Sequence, residues 1–170
     1  TPVFVDVDPL TYTMDVEALE TAVAEASQPT AVVPVHIYGG MAEMGRIREV
    51  AAEHDLFVLE DACQARFASR GSDTAGGAGD AGAFSFYPSK NMTVGGDGGM
   101  VTTDDAALAR RVRTLRNHGR DADGTHQRLG LNYRLDETNA AVGLAQLDRV
   151  RDWNDARNAA AGRYTDRLAD

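Results

Sequence analysis

Lys90 is the only lysine among 170 residues; the other sixteen basic side chains are arginines. Arginine cannot stand in wherever an amine must shed its proton, because guanidinium stays charged at any working pH. A lysine amine can shift its pKa on burial, attack a carbonyl and form a Schiff base. The flanks suit such a role. The β-rich apolar run up to Tyr87 is stopped by Pro88, and the glycine-rich Gly95-Gly96-Asp97-Gly98-Gly99 follows. Such a loop lets backbone approach a ligand closely. Composition alone also permits a plainer origin, one lysine left over by an arginine-preferring genome, so the surroundings must decide.

The candidate partners of that amine lie at the ends of apolar runs. His36 follows the second run, Asp61 the third, and Ser85 to Lys90 the fourth. In an open parallel α/β sheet, ligands sit outside the carboxyl ends of the strands. A carboxylate at one strand end and a lysine after another suit pyridoxal phosphate: the lysine holds the aldehyde, the carboxylate keeps the ring nitrogen protonated, and the ring acts as an electron sink. A small hydroxyl near the lysine can donate to the phosphate. Read without that context, Asp61 is a solvated acid and Ser85 a buried strand serine. Glu60 points to the opposite face by strand alternation and is the weaker candidate.

The elements needed to hold these groups are legible in the pattern. Val3 to Val7 alternates and reads as a strand, broken by Asp8-Pro9. Asp15 can cap a helix with Val16, Leu19 and Val23 inward. Ala31 to Ile37 is a near-continuous apolar run, expected of a strand buried on both faces. A helix from Met44 to His54 carries Ile47, Val50 and Ala51, and Leu56 to Leu59 is a short buried strand. This β-α-β-α-β order is the signature of a doubly wound sheet. Residues 62 to 82, rich in glycine, alanine and serine, are too long for an ordinary connection and form either a functional or a mobile loop. Ala83 to Tyr87 returns to strand, and Gly99 to Thr103 pairs with it antiparallel. Asp104 then caps a helix to about His118 with Leu108, Val112 and Leu115 on its stripe. Residues 119 to 131 are polar and irregular. Helices from Asp136 to about Asp152 and from Asn154 onward close the chain, the first with Leu144, Leu147 and Val150 as its stripe.

Bulk composition narrows the function classes. The net charge of −9, with eighteen Asp and eight Glu, argues against nucleic acid, whose readers carry a basic stripe, and against an anionic membrane surface. The acid-rich, lysine-poor balance resembles proteins of salt-loving organisms, with high-GC bacteria the competing source. A single cysteine, Cys63, forbids an intrachain disulfide and fits a reducing, cytoplasmic compartment. No run is long and apolar enough for a membrane span. The chain opens inside a strand pattern and closes inside a helical one, as expected of a piece of a longer protein.

Several motifs in order carry a resemblance. They are Pro34-Val35-His36-Ile37-Tyr38-Gly39, Leu59-Glu60-Asp61-Ala62-Cys63-Gln64, Gly79 through Asn91, Gly96-Asp97-Gly98-Gly99-Met100-Val101, Leu115 through Arg120 and Leu131 through Glu137. Together they resemble the DegT/DnrJ/EryC1/StrS sugar aminotransferases, fold-type I pyridoxal-phosphate enzymes, over essentially the whole chain. The resemblance implies that Lys90 is the internal-aldimine lysine and also shuttles the α-proton. It implies that Asp61 pairs with the pyridinium nitrogen, that Gln64 lies beside the ring's phenolic oxygen, and that Ser85 binds the phosphate. Asn132 resembles the asparagine that reaches the phosphate of a neighbouring subunit, which implies a homodimer with a shared active site. His36 is read as packed near the cavity rather than catalytic, and Arg134 as either structural or in touch with substrate. Cys63 stands where small residues such as alanine are usual. The family's N-terminal turn and C-terminal small domain fall outside these residues.

The expected fold is therefore α/β: a three-layer, doubly wound, mostly parallel sheet with one antiparallel strand, followed by C-terminal helices. Residues 1–150 are expected to form the large pyridoxal-phosphate-binding domain and 151–170 a helix leading toward the small domain. The expected function is transfer of an amino group, from glutamate, to a keto group of a nucleotide-linked sugar. The alternatives are a non-catalytic ligand-sensing or regulatory protein on this fold, a sugar dehydratase, which carries a histidine where Lys90 stands, and an inactive structural remnant.

Overall fold

Aspartates open three of the helices by accepting the backbone N–H groups that a first turn leaves unpaired. Asp15 accepts from Glu17 and Ala18 at the start of α1 (Val16–Glu25). Asp105 accepts from Ala107 ahead of α3 (Ala106–Leu115), and Asp136 from Asn139 ahead of α4 (Glu137–Leu147). The sequence pattern favours Asp104 as the α3 cap. The next residue takes the role because Thr103 Oγ1 receives the Asp105 amide and fixes its backbone. Each such cap contributes about 1 kcal/mol. The remaining helices are α2 (Met44–Glu53) and α5 (Val150–Leu168).

This computed structural model describes residues 1–169, which fall into two units: 1–85 with 99–134, and 86–98 with 135–169. The first unit holds the sheet. Its strands are β1 (Ala31–Val32), β2 (Phe57–Asp61), β5 (Ala81–Ser85) and β6 (Gly99–Thr102), in the order β1-β2-β5-β6. β1–β2 and β2–β5 are parallel and β5–β6 antiparallel. A small antiparallel hairpin, β3 (Ser69–Arg70) with β4 (Asp73–Thr74), interrupts the loop after β2. The architecture is thus α/β with a mixed, mostly parallel four-stranded sheet and C-terminal helices.

One face of this sheet is packed. Val32 and Val58 meet Val16, Leu19 and Val23 of α1 and Ile47, Val50 and Ala51 of α2 in a single buried cluster. Each fully buried Val, Leu or Ile contributes roughly 1.5–3 kcal/mol. The other face, carrying Val33, Val35 and Phe57, is exposed. The run 31–37 therefore alternates buried and exposed residues instead of being covered on both sides. Its regular ladder also ends early, since Pro34 has no N–H to give. Pairing resumes only at the Val35–Asp61 bridge, before a turn of 3-10 helix at Ile37–Gly39.

Other expectations need correcting. Val3 to Val7 forms no strand: its pairing is the single Val7–Met14 bridge, and Phe4 is exposed. Asp8 Oδ1 accepts from Leu10 and Thr11 and turns the chain back before a ladder can grow. In the second unit the helix break falls at Asp148–Arg149, four residues before the expected position, which buries Val150 completely. Leu144 and Leu147 are exposed, so the inward side of α4 is marked by Gly143 instead.

Candidate active site

Consecutive residues of a strand face opposite ways, so β2 divides its two carboxylates between the two faces of the sheet. Glu60 takes the packed face and has no exposed surface. Its carboxylate accepts from His36 Nε2 at 2.8 Å and from the backbone amides of Gly76, Ala78 and Gly79 at 2.9, 2.8 and 2.7 Å. His36 Nδ1 accepts from the Ala42 amide at 3.2 Å, which makes the ring the Nε2–H tautomer. Burial pushes the Glu60 carboxyl up, but His36 and the three amides outweigh it and hold the group below its ordinary value. Gly76 and Gly82 allow this closeness. A Cβ on Gly82 would lie 2.4 Å from the Gly76 Cα, and Gly76 itself has φ +80°. The glycine-rich stretch after β2 is consequently tied down on the sheet, not left as a mobile loop.

Asp61 takes the open face. Its backbone is pinned on both sides: its N–H donates to Pro34 O at 2.9 Å and its carbonyl accepts from His36 N at 3.0 Å. Its Oδ1 accepts from the Cys63 amide at 3.1 Å, which orients the carboxylate. On the neighbouring parallel strand, Ala83 is the register partner of Asp61. Ser85, two residues further, shares that face at the carboxyl end of β5. The structure thus brings Asp61 and Ser85 to the same face and the same end of adjacent parallel strands, both half-buried.

Gln64 follows in the turn after β2. Its Oε1 accepts from the Tyr38 amide at 2.9 Å, leaving Nε2 as the end that donates elsewhere. Tyr38 sits at φ 57°, a left-handed conformation uncommon for a tyrosine, and the Gln64 carbonyl supports it there. Asn132 is exposed and bridges Asn117 within a short ladder in which the His118 amide meets Leu131 O and the Tyr133 amide meets Arg116 O. Arg134 donates to Asn117 Oδ1 at 2.9 Å, a structural contact in the same ladder. His36 is a packed residue, as expected.

Lys90 belongs to the second unit. It is half-buried, and its amide closes a turn onto Tyr87 O at 2.9 Å. The loop that carries it is closed at its neck by Phe86 N–H donating to Gly98 O at 2.8 Å.

One side chain had no sequence signal. Arg66 lies over the Phe84 ring at 5.7 Å and donates to the Ser85 carbonyl at 3.3 Å. Burial lowers its pKa, with Cys63 acting in the opposite direction. It braces the strand end that presents Ser85, and nothing in the spacing of a Gly/Ala/Ser-rich segment marks it.

Pyridoxal phosphate needs an amine for its aldehyde, an anion for a protonated ring nitrogen and donors for its phosphate. Lys90, Asp61 and Ser85 are those three donor types, and the strand ends carrying Asp61 and Ser85 are where such folds bind ligands. The residues fit the group.

Comparison with known proteins agrees. The family model described as the DegT/DnrJ/EryC1/StrS aminotransferase family matches residues 1–170. The chain is 45% identical over 168 residues to a UDP-N-acetyl-3-dehydro-α-D-glucosamine 3-aminotransferase of Acidithiobacillus ferrooxidans, covering 99% of this chain and 45% of that protein. It is 42% identical over 164 residues to a pleiotropic regulatory protein of Geobacillus stearothermophilus, covering 96% and 44%. A crystal structure of a DegT DnrJ EryC1 StrS aminotransferase from Brucella abortus superposes with a TM-score of 0.94 at 41% identity, covering 99% of this chain and 47% of that one. The chain therefore spans a little under half the length of these relatives. Family members bind pyridoxal or pyridoxamine phosphate. With the whole of its length matched, this chain belongs to the DegT/DnrJ/EryC1/StrS aminotransferase family.

Proposed function

We propose that this chain carries the cofactor-binding part of a pyridoxal-phosphate-dependent aminotransferase. It moves an amino group, from glutamate, to a keto group of a nucleotide-linked sugar. The observation that carries this reading is the placement of Asp61 and Ser85 on one face at the carboxyl ends of adjacent parallel strands, with the chain's only lysine five residues after Ser85. Likeness to sugar aminotransferases along the whole chain supports the substrate class.

When bound, the cofactor supplies the electron sink that makes the substrate's α-hydrogen acidic. The chain's own residues do the rest. The Lys90 amine would hold the aldehyde; when free of it, the amine would take the proton from the amino donor's α-carbon, pass it to the cofactor's former aldehyde carbon, and in the second half-reaction carry a proton the other way to the acceptor's former keto carbon. The Asp61 carboxylate holds a proton on the ring nitrogen, where the charge pair favours the protonated form. Ser85 donates its hydroxyl to the phosphate. Gln64, with its carbonyl occupied by Tyr38, donates through Nε2 to the phenolic oxygen. Asn132, exposed on its ladder, serves a partner subunit's phosphate, which makes the active unit a homodimer.

The test uses the intact protein mixed with pyridoxal phosphate, reduced with borohydride and digested. The cofactor mass is expected on the Lys90 peptide, and absorbance at the visible edge is expected to fall on adding glutamate. Turnover is then sought across a panel of nucleotide-linked keto-sugars. A protein that retains cofactor at Lys90 but leaves glutamate unreacted contradicts the transaminase reading. It favours the regulatory one, which the likeness to the pleiotropic regulatory protein supports.

A further inference from the structure

Residues 86–98 contain no strand and no helix, yet they carry the residue on which the proposed chemistry depends. A thirteen-residue segment without a ladder keeps a fixed shape only if its backbone groups find partners elsewhere. Besides its own turn bonds, the segment is tied within the second unit by two carboxamide side chains from two helices, one on its backbone at Thr93 and one on the Asn91 side chain.

Gln146 on α4 makes a two-point contact with Thr93: its Nε2 donates to Thr93 O at 2.8 Å and its Oε1 accepts from Thr93 N at 3.4 Å. A carboxamide presents one donor and one acceptor, so it answers a peptide's N–H and C=O as a neighbouring strand would. Asn91, next to the lysine, donates through Nδ2 to Asn154 Oδ1 on α5 at 3.0 Å. Beneath these polar contacts Met92 and Val94 are buried. They reach α4 at Gly143, where an added Cβ would come within 3.1 Å of Val94 Cγ1 and 3.2 Å of Met92 Cε. Alternation along the loop thus sends residues 92 and 94 into the helices and ties 91 and 93 to their amides.

We propose that Gln146 and Asn154 are positioning residues for Lys90, holding the loop so that the amine is presented in one place. Neither touches the reacting atoms; both act through the backbone and side chains of residues 91 and 93. The need is steep, because a displacement of about 1 Å at a reacting group can cost on the order of a hundredfold in rate. This inference rests on Lys90 being the cofactor-binding lysine.

Four variants of the intact protein test it: Gln146→Ala, Gln146→Glu, Asn154→Ala and Asn154→Asp. The readouts are hydrogen exchange across 86–98 and the acylation rate of Lys90, both without cofactor, and then the yield of borohydride-trapped cofactor. Losing these hydrogen bonds, two in Gln146→Ala and one in Asn154→Ala, is expected to raise exchange about tenfold or more. Lys90 acylation should change and the trapped yield fall, with hydrogen exchange in the first unit's strands β2 and β5 little altered. Asn154→Asp keeps the oxygen that accepts from Asn91 and is expected to behave as wild type. Gln146→Glu keeps the acceptor but sets a carboxylate against Thr93 O, so it is expected to resemble Gln146→Ala. Unchanged exchange and acylation in the alanine variants overturn the proposal, as does an Asn154→Asp variant no better than Asn154→Ala. If wild-type protein traps no cofactor at Lys90, the functional reading fails. Exchange and acylation without cofactor still decide whether the two amides position that amine.

Discussion

Asp61 and Lys90 are held in different ways. Asp61 is fixed by a ladder: parallel register with Ala83, two backbone bonds to residues 34 and 36, and the Cys63 amide on its own carboxylate. Behind it, on the opposite face, Glu60 gathers His36 and three loop amides without exposing any surface. Lys90 has no ladder. Its loop is shaped by side-chain amides on helices and by two buried apolar residues. The contrast matches the tasks proposed for the two groups. A residue that only pairs with a fixed ring nitrogen can be set rigidly in a strand. An amine that must release an aldehyde, move a proton and bind again gains from a segment with its own support, held in one place by groups outside the sheet.

The largest expected effect removes the amine. Lys90→Ala should abolish cofactor trapping and lower amino transfer by about a thousandfold or more, with the fold intact by circular dichroism. An active Lys90→Ala enzyme would break the comparison outright. Next is the buried network. Glu60→Ala leaves His36 and three amides without their acceptor and should cost about 3–5 kcal/mol in denaturant unfolding. The same network gives a pH signature. Because the folded Glu60 carboxyl lies below its ordinary 4.5, its contribution is fully present above that value and is lost as pH falls through the folded value. Urea midpoints measured from pH 7 downward should therefore drop in acid, and less steeply in Glu60→Gln.

Asp61→Asn is the sharpening case. The amide oxygen can still accept from Cys63, so stability should change by less than about 1.5 kcal/mol while kcat falls on the order of a hundredfold. A variant that unfolds would mean that Asp61 is chiefly structural. The smallest effect expected is at the α4 cap: Asp136→Ala should cost about 1 kcal/mol by thermal melting, without moving the first unit's pH dependence.

The alternation around Asp61 and Glu60 was legible because period two leaves no choice once a strand is granted. The placement of Ser85 and the antiparallel β6 followed from run lengths in the same way. The helix start at Asp15 was legible from capping chemistry, and that of α3 to within one residue, Asp105 taking the role expected of Asp104. What failed was long-range. Val3 to Val7 alternates correctly but pairs only through the Val7–Met14 bridge among the described residues, and periodicity does not say whether a strand lies alongside. The exposed Val33 and Val35 follow from the same cause, since burial depends on what covers a face. Arg66, Gln146 and Asn154 were invisible because polar side chains on loops and helices carry no pattern until their partners are placed. Lys90 stood out through its uniqueness, its flanks and the motif around it, which together say that an amine is wanted and nothing about how it is held.

The central claim is that the Lys90 amine is the cofactor-bearing group of a transaminase. The most direct measurement is borohydride reduction of the cofactor-loaded intact protein before and after glutamate, read by peptide mass spectrometry. The expected result is pyridoxyl mass on the Lys90 peptide, largely lost when glutamate is added first. A cofactor mass on another residue, on none, or on Lys90 but undiminished by the amino donor would contradict it.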